Sequence, residues 1–395
     1  MKNDIKYLAL IAFIFIVSNI KAQNSVDNIL SEIAKNNKSL IANQQYWEAK
    51  KLQYKTGLTL YNPSVEYEFL KGTPIGAGNQ TDFLVLQSFD FPTTYIKKKQ
   101  VADLQIVQVD FHLTAYRQDI LLKAKQYCID FIYFNKKQAE LKKRLQNAEK
   151  LYNDYQKKLD KGDASSLDVN KAKLQLLNLQ NDFRLNTSHI YQLNQKLTEL
   201  NGGTTITFTD TVYSLIPSIP DFQTLESTIE ANDPVLKSFQ QQKEIRLKQV
   251  QLSKALTLPK MESGYRSQAI LGQKYQGVHF GITIPMWENK NTVKLQKAEV
   301  LFSKLQVEQH KNQHYHEIQQ LYEKYQNLKT TLEEYQQLIT ILNNTELLDK
   351  ALKLGEISSI QYFMEISYFY NSYDKYLQLE KEYHQVIAEL YKYQL

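Results

Sequence analysis

The chain has 395 residues, a formal net charge of +6 from 48 Lys and Arg against 42 Asp and Glu, and only 12 Gly and 8 Pro. The opposite charges are interspersed, so the sequence contains no basic patch of the kind that nucleic-acid binding requires. The scarcity of helix-breaking residues predicts long, uninterrupted helices. With a single cysteine, Cys128, the chain is expected to fold without an internal disulfide.

The N-terminus has the pattern of an export signal. Lys2 and Lys6 flank the start of an unbroken apolar run at 8–17, and Ala22 precedes Gln23. This pattern predicts a secretory signal peptide cut after Ala22, with a buried N-terminal helix as the alternative. The run is shorter than the roughly 20 apolar residues that span a bilayer. The exported chain is then expected either to remain soluble or to cross a membrane as β-strands.

Three sequence landmarks recur in the same order at a nearly constant offset. LYNP at 60–63 returns as LTLP at 256–259, and FDFP at 89–92 returns as ITIP at 282–285. LDKGDASSL at 159–167 returns as LKLGEISSI at 352–360. The recurrence predicts two tandem copies of one structural unit.

Each copy changes from a two-residue to a helical period. Val65, Tyr67 and Phe69 alternate with polar residues, which is typical of an amphipathic strand. Similar alternation recurs three more times, in runs of about 9–11 residues that match the length of a tilted membrane strand. Elsewhere, apolar residues repeat at spacings of three and four, which predicts coiled-coil helices.

These patterns predict four segments. They are a signal peptide at 1–22, a first repeat at 23–203, a linker at 204–221 and a second repeat at 222–395. The first repeat is predicted to contain strands at about 63–70 and 82–91 and helices at about 95–160 and 165–200. The second is predicted to contain strands at about 259–267 and 277–284 and helices at about 290–352 and 358–393.

A Gly-x-x-Ser-Ser turn separates the long helix from the return helix in each copy. The glycine is placed where a helix C-terminus needs a left-handed residue. The first serine can cap the returning helix, and the residue three positions later can complete a capping box. In chain order these residues are Gly162, Ser165 and Asp168 in the first copy and Gly355, Ser358 and Gln361 in the second.

The tandem order of helix, strand pair, long helix, Gly-x-x-Ser turn and return helix resembles the TolC-type outer-membrane efflux protein family. Four strands cannot close a barrel, and open sheet edges are not tolerated in lipid. The resemblance implies a mainly helical homotrimer in the outer membrane, with a 12-stranded barrel built from four strands per subunit and continued by an α-helical coiled-coil tunnel in the periplasm. It also implies two partners, a periplasmic adaptor and an inner-membrane pump.

The resemblance assigns roles to the turns. Adaptor contact is implied for Gly162, Ser165, Leu167, Gly355, Ser358 and Ile360. Many relatives carry acidic residues at the sixth and ninth positions after the second glycine, where Gln361 and Met364 stand here. Asp168 keeps an acid at the sixth position of the first copy. These three residues are candidates to line the lumen or gate, but an acidic ring from the second copy is not expected.

The predicted role is a passive conduit that exports small molecules, either drugs or metal cations. No catalytic motif is present, so neither an enzyme nor a cofactor is expected. The second turn also resembles that of heavy-metal resistance–nodulation–division systems, yet His310, His314 and His316 are expected to be solvated, with no metal site. The alternatives are the outer-membrane duct of a type I protein secretion system, a periplasmic adaptor, and a coiled-coil envelope protein.

Overall fold

The computed structural model describes residues 21–216, 218–341 and 345–395. The predicted signal peptide lies almost entirely outside the described residues. Within those ranges, no helix combines the length and the apolar character needed to span a bilayer.

The elements follow one order twice: helix, β-hairpin, long helix, return helix. The first half contains α1 (Lys21–Asn36), α2 (Lys38–Tyr54), β1 (Ser64–Lys71), β2 (Asn79–Phe89), α3 (Pro92–Asp160) and α4 (Ser166–Leu200). The second half contains α5 (Phe222–Asn232), α6 (Pro234–Ala255), β3 (Lys260–Ile270), β4 (Gln273–Thr283), α7 (Thr292–Ile341), α8 (Thr345–Leu354), α9 (Ser359–Leu390) and a final 3-10 turn (Lys392–Gln394). The prediction of a mainly helical chain with four strands is therefore confirmed over the described residues.

Two boundaries differ from the sequence prediction for identifiable reasons. The predicted strand at 82–91 ends at Phe89, because Pro92 begins α3 and proline is favoured in the first helical turn. The predicted gap between β3 and β4 is reduced to Leu271 and Gly272, whose φ angles of 51° and 80° suit a two-residue hairpin turn. Both strands consequently reach 11 residues.

The four strands form one antiparallel sheet in the order β1-β2-β3-β4. The hairpins of the two repeats are joined through β2 and β3, where Val85 lies opposite Tyr265. The same row continues to Val65 in β1 and to Val278 in β4, so an apolar line crosses all four strands. β1 and β4 are the edges of the sheet in a single chain.

The chain divides into two compact units that do not coincide with the sequence repeats. One unit, here the helical unit, comprises the described residues through Ala42 together with Tyr116–Asn232 and Tyr315–Leu395. The other, here the sheet unit, comprises Asn43–Ala115 and Asp233–His314. Each unit takes segments from both repeats.

The helical unit is held together by clusters of buried apolar side chains. Ile33, Ile132 and Leu197 are fully buried in its largest cluster, which also contains the thiol of Cys128. A separate cluster joins Leu141, Ala148 and Leu179 between α3 and α4. This cluster holds α3 against its return helix.

The unit buries the charged side chain of Arg144. Arg144 is 3% exposed, and its guanidinium lies 2.9 Å from Asp374 and 3.1 Å from Glu140. Its guanidinium carbon also lies 4.2 Å from the centre of the Tyr370 ring. Two carboxylates and an aromatic face compensate the lost hydration of the cation, as a buried charge requires.

Candidate functional site

The two Gly-x-x-Ser-Ser turns close the long helices by the same hydrogen bonds. In the first, the Gly162 N–H donates to the Leu159 carbonyl at 3.0 Å and the Asp163 N–H donates to the Lys158 carbonyl at 2.8 Å. This pair of bonds defines a Schellman motif. The second turn repeats it around Gly355.

Both turn glycines are required by backbone conformation and not by lack of space. Gly162 has a φ of +80° and Gly355 a φ of +75°, which place both in the left-handed region. A Cβ added at either position would meet no atom within 4 Å. A side chain here is therefore disfavoured by the intrinsic strain of the left-handed conformation.

Each return helix begins with a complete capping box, as predicted. The Asp168 N–H donates to Ser165 Oγ at 3.2 Å, and the Ser165 N–H donates back to Asp168 Oδ2 at 3.3 Å. In the second copy, the Gln361 N–H donates to Ser358 Oγ at 3.2 Å and the Ser358 N–H donates to Gln361 Oε1 at 3.0 Å. Two short side chains thus satisfy backbone donors that a helix start leaves free.

A hydrogen bond that the sequence did not predict joins the two turns. Ser359 Oγ donates to Asp168 Oδ1 at 2.5 Å, although the residues are 191 positions apart. Hydrogen bonds from the Ser165 hydroxyl and then from Ser359 lower the pKa of the Asp168 carboxyl. The sequence hinted at this bond only through the second serine of the Ser-Ser pair, and it gave no sign that the partner of Ser359 lies in the other repeat.

The turns also expose apolar side chains. Leu167 is 69% exposed and Ile360 is 60% exposed, and each lies in the first turn of its return helix. Met364, one turn further along α9, is exposed as well. Gly162 and Gly355 set the backbone of the turns and Ser165 and Ser358 cap the return helices. Leu167 and Ile360 add exposed apolar surface beside them.

We predict that Asp168→Asn loosens the first turn at neutral pH. The substitution removes a negative charge at a helix start, an interaction worth about 0.3–1 kcal/mol, so amide exchange of residues 163–168 should accelerate about two- to fivefold. Hydrogen exchange monitored by mass spectrometry measures this. Asp163→Asn in the same turn is the control. Asp163 takes part in the turn through its backbone N–H, and the substitution keeps that hydrogen bond. Equal acceleration in both variants would contradict the assigned role.

The pH dependence of the same turn has a defined sign. A carboxyl whose pKa is lower in the folded chain than its ordinary value of 3.8 stabilises the fold above that value. The contribution is lost as the pH falls below 3.8 through the folded pKa. In the wild-type chain, local protection should decline in this acidic window, and Asp168→Asn should abolish that part of the decline.

The four-stranded sheet has two chemically different faces. The face that carries the apolar row consists of Val65, Tyr67, Phe69, Thr81, Phe83, Val85, Gln87, Phe89, Met261, Ser263, Tyr265, Ser267, Ala269, Lys274, Gln276, Val278, Phe280 and Ile282. Its strongly apolar members on the edge strands are largely exposed, with Val278 and Phe280 each at 76%. The apolar side chains of all four strands therefore lie on the same face, so the sheet as a whole is amphipathic.

The opposite face carries most of the polar side chains of the sheet, and several of them bond across strands. Asp82 accepts hydrogen bonds from Arg266 and from the Gln268 amide, the latter at 2.8 Å. Glu262 lies 3.2 Å from His279 Nε2. These contacts join β2 to β3 and β3 to β4 through side chains, so the polar face adds to the backbone ladder that orders the sheet.

The structure corrects the interpretation of two histidines. The side chains of His310 and His314 are only 20% and 25% exposed, and His310 Nε2 lies 2.7 Å from Asp233 Oδ2. The expectation that these side chains are solvated is wrong for His310 and His314, because Asp233 is brought against them from 77 positions before His310. His316 is exposed, as expected.

Comparisons with solved structures identify the fold. The CusC channel superposes with a TM-score of 0.75 at 15% identity, over 94% of this chain and 92% of that one. The VceC outer-membrane protein of Vibrio cholerae gives 0.75 at 13%, over 93% and 95%. The CmeC outer-membrane channel of Campylobacter jejuni gives 0.71 at 15%, over 93% and 85%.

No protein-family model and no curated protein sequence matches the chain. The likeness covers 93–94% of this chain and 85–95% of the other chain in these three comparisons. The chain has the fold of the TolC-type outer-membrane channels. The resemblance inferred from the sequence is confirmed at the level of the fold.

Proposed function

We propose that the chain is one subunit of a homotrimeric outer-membrane channel that serves as the exit duct of a tripartite efflux system. In this proposal it resides in the outer membrane, extends into the periplasm and conducts small molecules outward. The observation that carries the proposal is the sheet, which has one exposed apolar face, one polar face and two unpaired edges.

The sheet is the reason for an oligomer in a membrane. Exposed hydrophobic edge strands are a liability in water, and unpaired backbone groups are not accommodated in lipid. Pairing β4 of one chain with β1 of the next satisfies both edges and brings the apolar faces into one outward band. Three chains with four strands each form a 12-stranded barrel, within the size range of outer-membrane barrels.

The long helices and their turns supply the periplasmic part. α3 has 69 residues, which corresponds to about 100 Å of helix at about 1.5 Å per residue. The return helix that follows α3 begins with the exposed Leu167, and the return helix of the second repeat begins with the exposed Ile360. We assign this apolar surface to the periplasmic adaptor, which couples the channel to an inner-membrane pump.

The three candidate lumen residues differ in how their side chains are engaged. The Asp168 carboxylate bonds to Ser165 and Ser359, and the Gln361 amide oxygen bonds to Ser358. The side chain of Met364 is exposed. We propose that all three lie at the periplasmic entrance, where the second repeat contributes a neutral lining.

The trimer is tested by disulfide crosslinking of the sheet edges. In a Cys128→Ala background, we place cysteine at Glu68 in β1 and scan Tyr275, Gly277 and His279 in β4. At one register the Cα atoms should come within the roughly 4.4–6.8 Å that a disulfide bridges, and covalent dimers and trimers should appear on a non-reducing gel.

The control for crosslinking pairs Glu68→Cys with a cysteine at Leu84 in β2, which pairs with both β1 and β3 within the chain. It should give no covalent trimer. Covalent trimers from no edge register, together with a monomer by light scattering in detergent, would contradict the assembly.

The transport role is tested in a host that lacks its own copy of the gene. Restored resistance to a panel of antibiotics, dyes, detergents and metal salts supports an efflux conduit. If the host that lacks the gene keeps its resistance but no longer releases a particular protein into the culture medium, the chain would instead be a secretion duct. A chain that is released by carbonate washing would overturn the membrane assignment, as expected of an adaptor or a soluble fibre.

A further inference from the structure

Asp233 sits at the start of α6 and divides its carboxylate between two tasks. Oδ1 accepts the Val235 backbone N–H at 2.8 Å and so caps the helix. Oδ2 faces α7 instead, 2.7 Å from His310 Nε2 and 3.7 Å from His314 Nδ1. Because the capping bond fixes the carboxylate, its second oxygen is held toward the two imidazoles.

The two imidazole rings lie side by side on one face of α7. His310 and His314 are one helical turn apart, with ring planes 16° from parallel and ring centres 5.3 Å apart. The Phe239 ring lies 5.2 Å from the His310 ring. The Asp233 side chain is 8% exposed, so the group lies in a partly dehydrated position and not on an open surface.

We propose that Asp233, His310 and His314 bind a divalent transition-metal cation of the zinc type. One donor atom from each residue lies within 4.8 Å of the other two. A tetrahedral zinc site with bonds of about 2.0–2.2 Å separates its donor atoms by about 3.3 Å, so modest side-chain rotations suffice. The site would form in the sheet unit alone, between the start of α6 and α7.

The donor set selects the class of ion. Two imidazole nitrogens and one carboxylate oxygen suit Zn²⁺, Co²⁺, Ni²⁺ or Cu²⁺. Ca²⁺ requires six to eight oxygen ligands, and Mg²⁺ requires a near-octahedral oxygen shell. Three protein ligands leave one position for water. If Asp233 binds the ion through Oδ2, the hydrogen bond from the Val235 N–H to Oδ1 keeps the carboxylate in the orientation that metal binding needs.

The proposal does not depend on the channel assignment, because it rests on three side chains within one unit. A bound ion would link the first turn of α6 to α7. Its expected physical effect is therefore a rise in the thermal unfolding midpoint when Zn²⁺ is added, since an ion that binds only the folded chain stabilises it.

The test uses the full-length protein, purified in detergent without a histidine tag and stripped with a chelator. Zn²⁺ is titrated against a chromophoric chelator, and Co²⁺ absorption reports the coordination geometry. We expect one tight site per chain. His310→Ala and His314→Ala should each weaken Zn²⁺ binding by more than about 100-fold, and Asp233→Asn, which can still cap α6, by about 10- to 100-fold.

His316→Ala is the matched control on the same helix and should retain the wild-type affinity and stoichiometry. Each variant is also melted without metal, and a midpoint close to that of wild type shows that the fold is intact. The His310→Ala and His314→Ala chains should lose the Zn²⁺-dependent rise in that midpoint. Wild-type protein that binds no Zn²⁺ at 100 µM, or folded variants that bind it as well as wild type does, would overturn the site.

Discussion

We expect the Val278→Arg chain to be lost from the outer-membrane fraction, whereas the adjacent His279→Arg chain remains in it. Val278 lies in the middle of β4, on the apolar row shared with Val65, Val85 and Tyr265. Arginine facing lipid near the bilayer midplane costs about 2–4 kcal/mol, and a trimer would incur that cost three times. The measurement is the amount of heat-resistant trimer left in membranes after carbonate washing.

His279 makes the comparison specific to one face of the sheet. It is the next residue in the same strand, but its side chain lies on the polar face near Glu262. Arginine there keeps the partner of Glu262 and should leave membrane retention close to that of wild type. Equal loss of both variants would indicate a general folding defect, and equal retention would show that the apolar face does not meet lipid.

The same pair of variants separates the competing classes of protein. A periplasmic adaptor or a coiled-coil envelope protein does not insert this sheet into lipid. An added charge at the exposed Val278 would then improve its solubility without displacing it from any membrane. Only a channel requires that the two neighbouring positions respond in opposite ways.

Local features of the fold could be predicted because their causes lie within a few residues. The alternation of Val65, Tyr67 and Phe69 sets one face of β1 directly, since successive side chains in a strand point to opposite sides. The turn glycines and the capping serines act on neighbouring backbone groups. For the same reason, the capping boxes at Ser165 and Ser358 were predictable from spacing alone.

Features that depend on distant partners were not predictable. β3 extends beyond the predicted end at 267 as far as Ile270, because β2 supplies hydrogen bonds up to Gln80 opposite Ile270. β4 then begins at Gln273, because the extended β3 is its partner. Asp168 and Ser359 meet only after the two repeats associate. Asp233 reaches His310 because α6 packs beside α7, which no spacing within α7 could indicate.

The second large effect is expected at the turn glycines. Gly355→Val and Gly162→Val should abolish export while leaving a folded trimer in the outer membrane. Both glycines have left-handed φ values, where an ordinary L-residue costs about 1–2 kcal/mol and a β-branched residue is a genuine outlier. The space around each added Cβ is open, so the cost falls on the shape of the turn and not on the core.

Loss of the Schellman geometry would redirect the exposed side chains that we assign to the adaptor, Leu167 after the first turn and Ile360 after the second. A misdirected contact surface should prevent assembly with the adaptor and pump, so resistance should fall to the level of the gene deletion. Resistance in the complemented host and adaptor recovery after in vivo crosslinking measure the two consequences.

Two controls decide whether the turn or strain in general is responsible. Gly355→Asn should retain export, since asparagine tolerates the left-handed conformation. Gly57→Val introduces the same kind of strain, with a φ of +71° and no atom within 4 Å of the added Cβ, but at a loop between α2 and β1. If Gly57→Val also abolishes export, or if Gly355→Val retains full resistance, the turns are not the docking surface. If Gly162→Val and Gly355→Val abolish export and Gly57→Val does not, a partner must recognise the shape of the two turns.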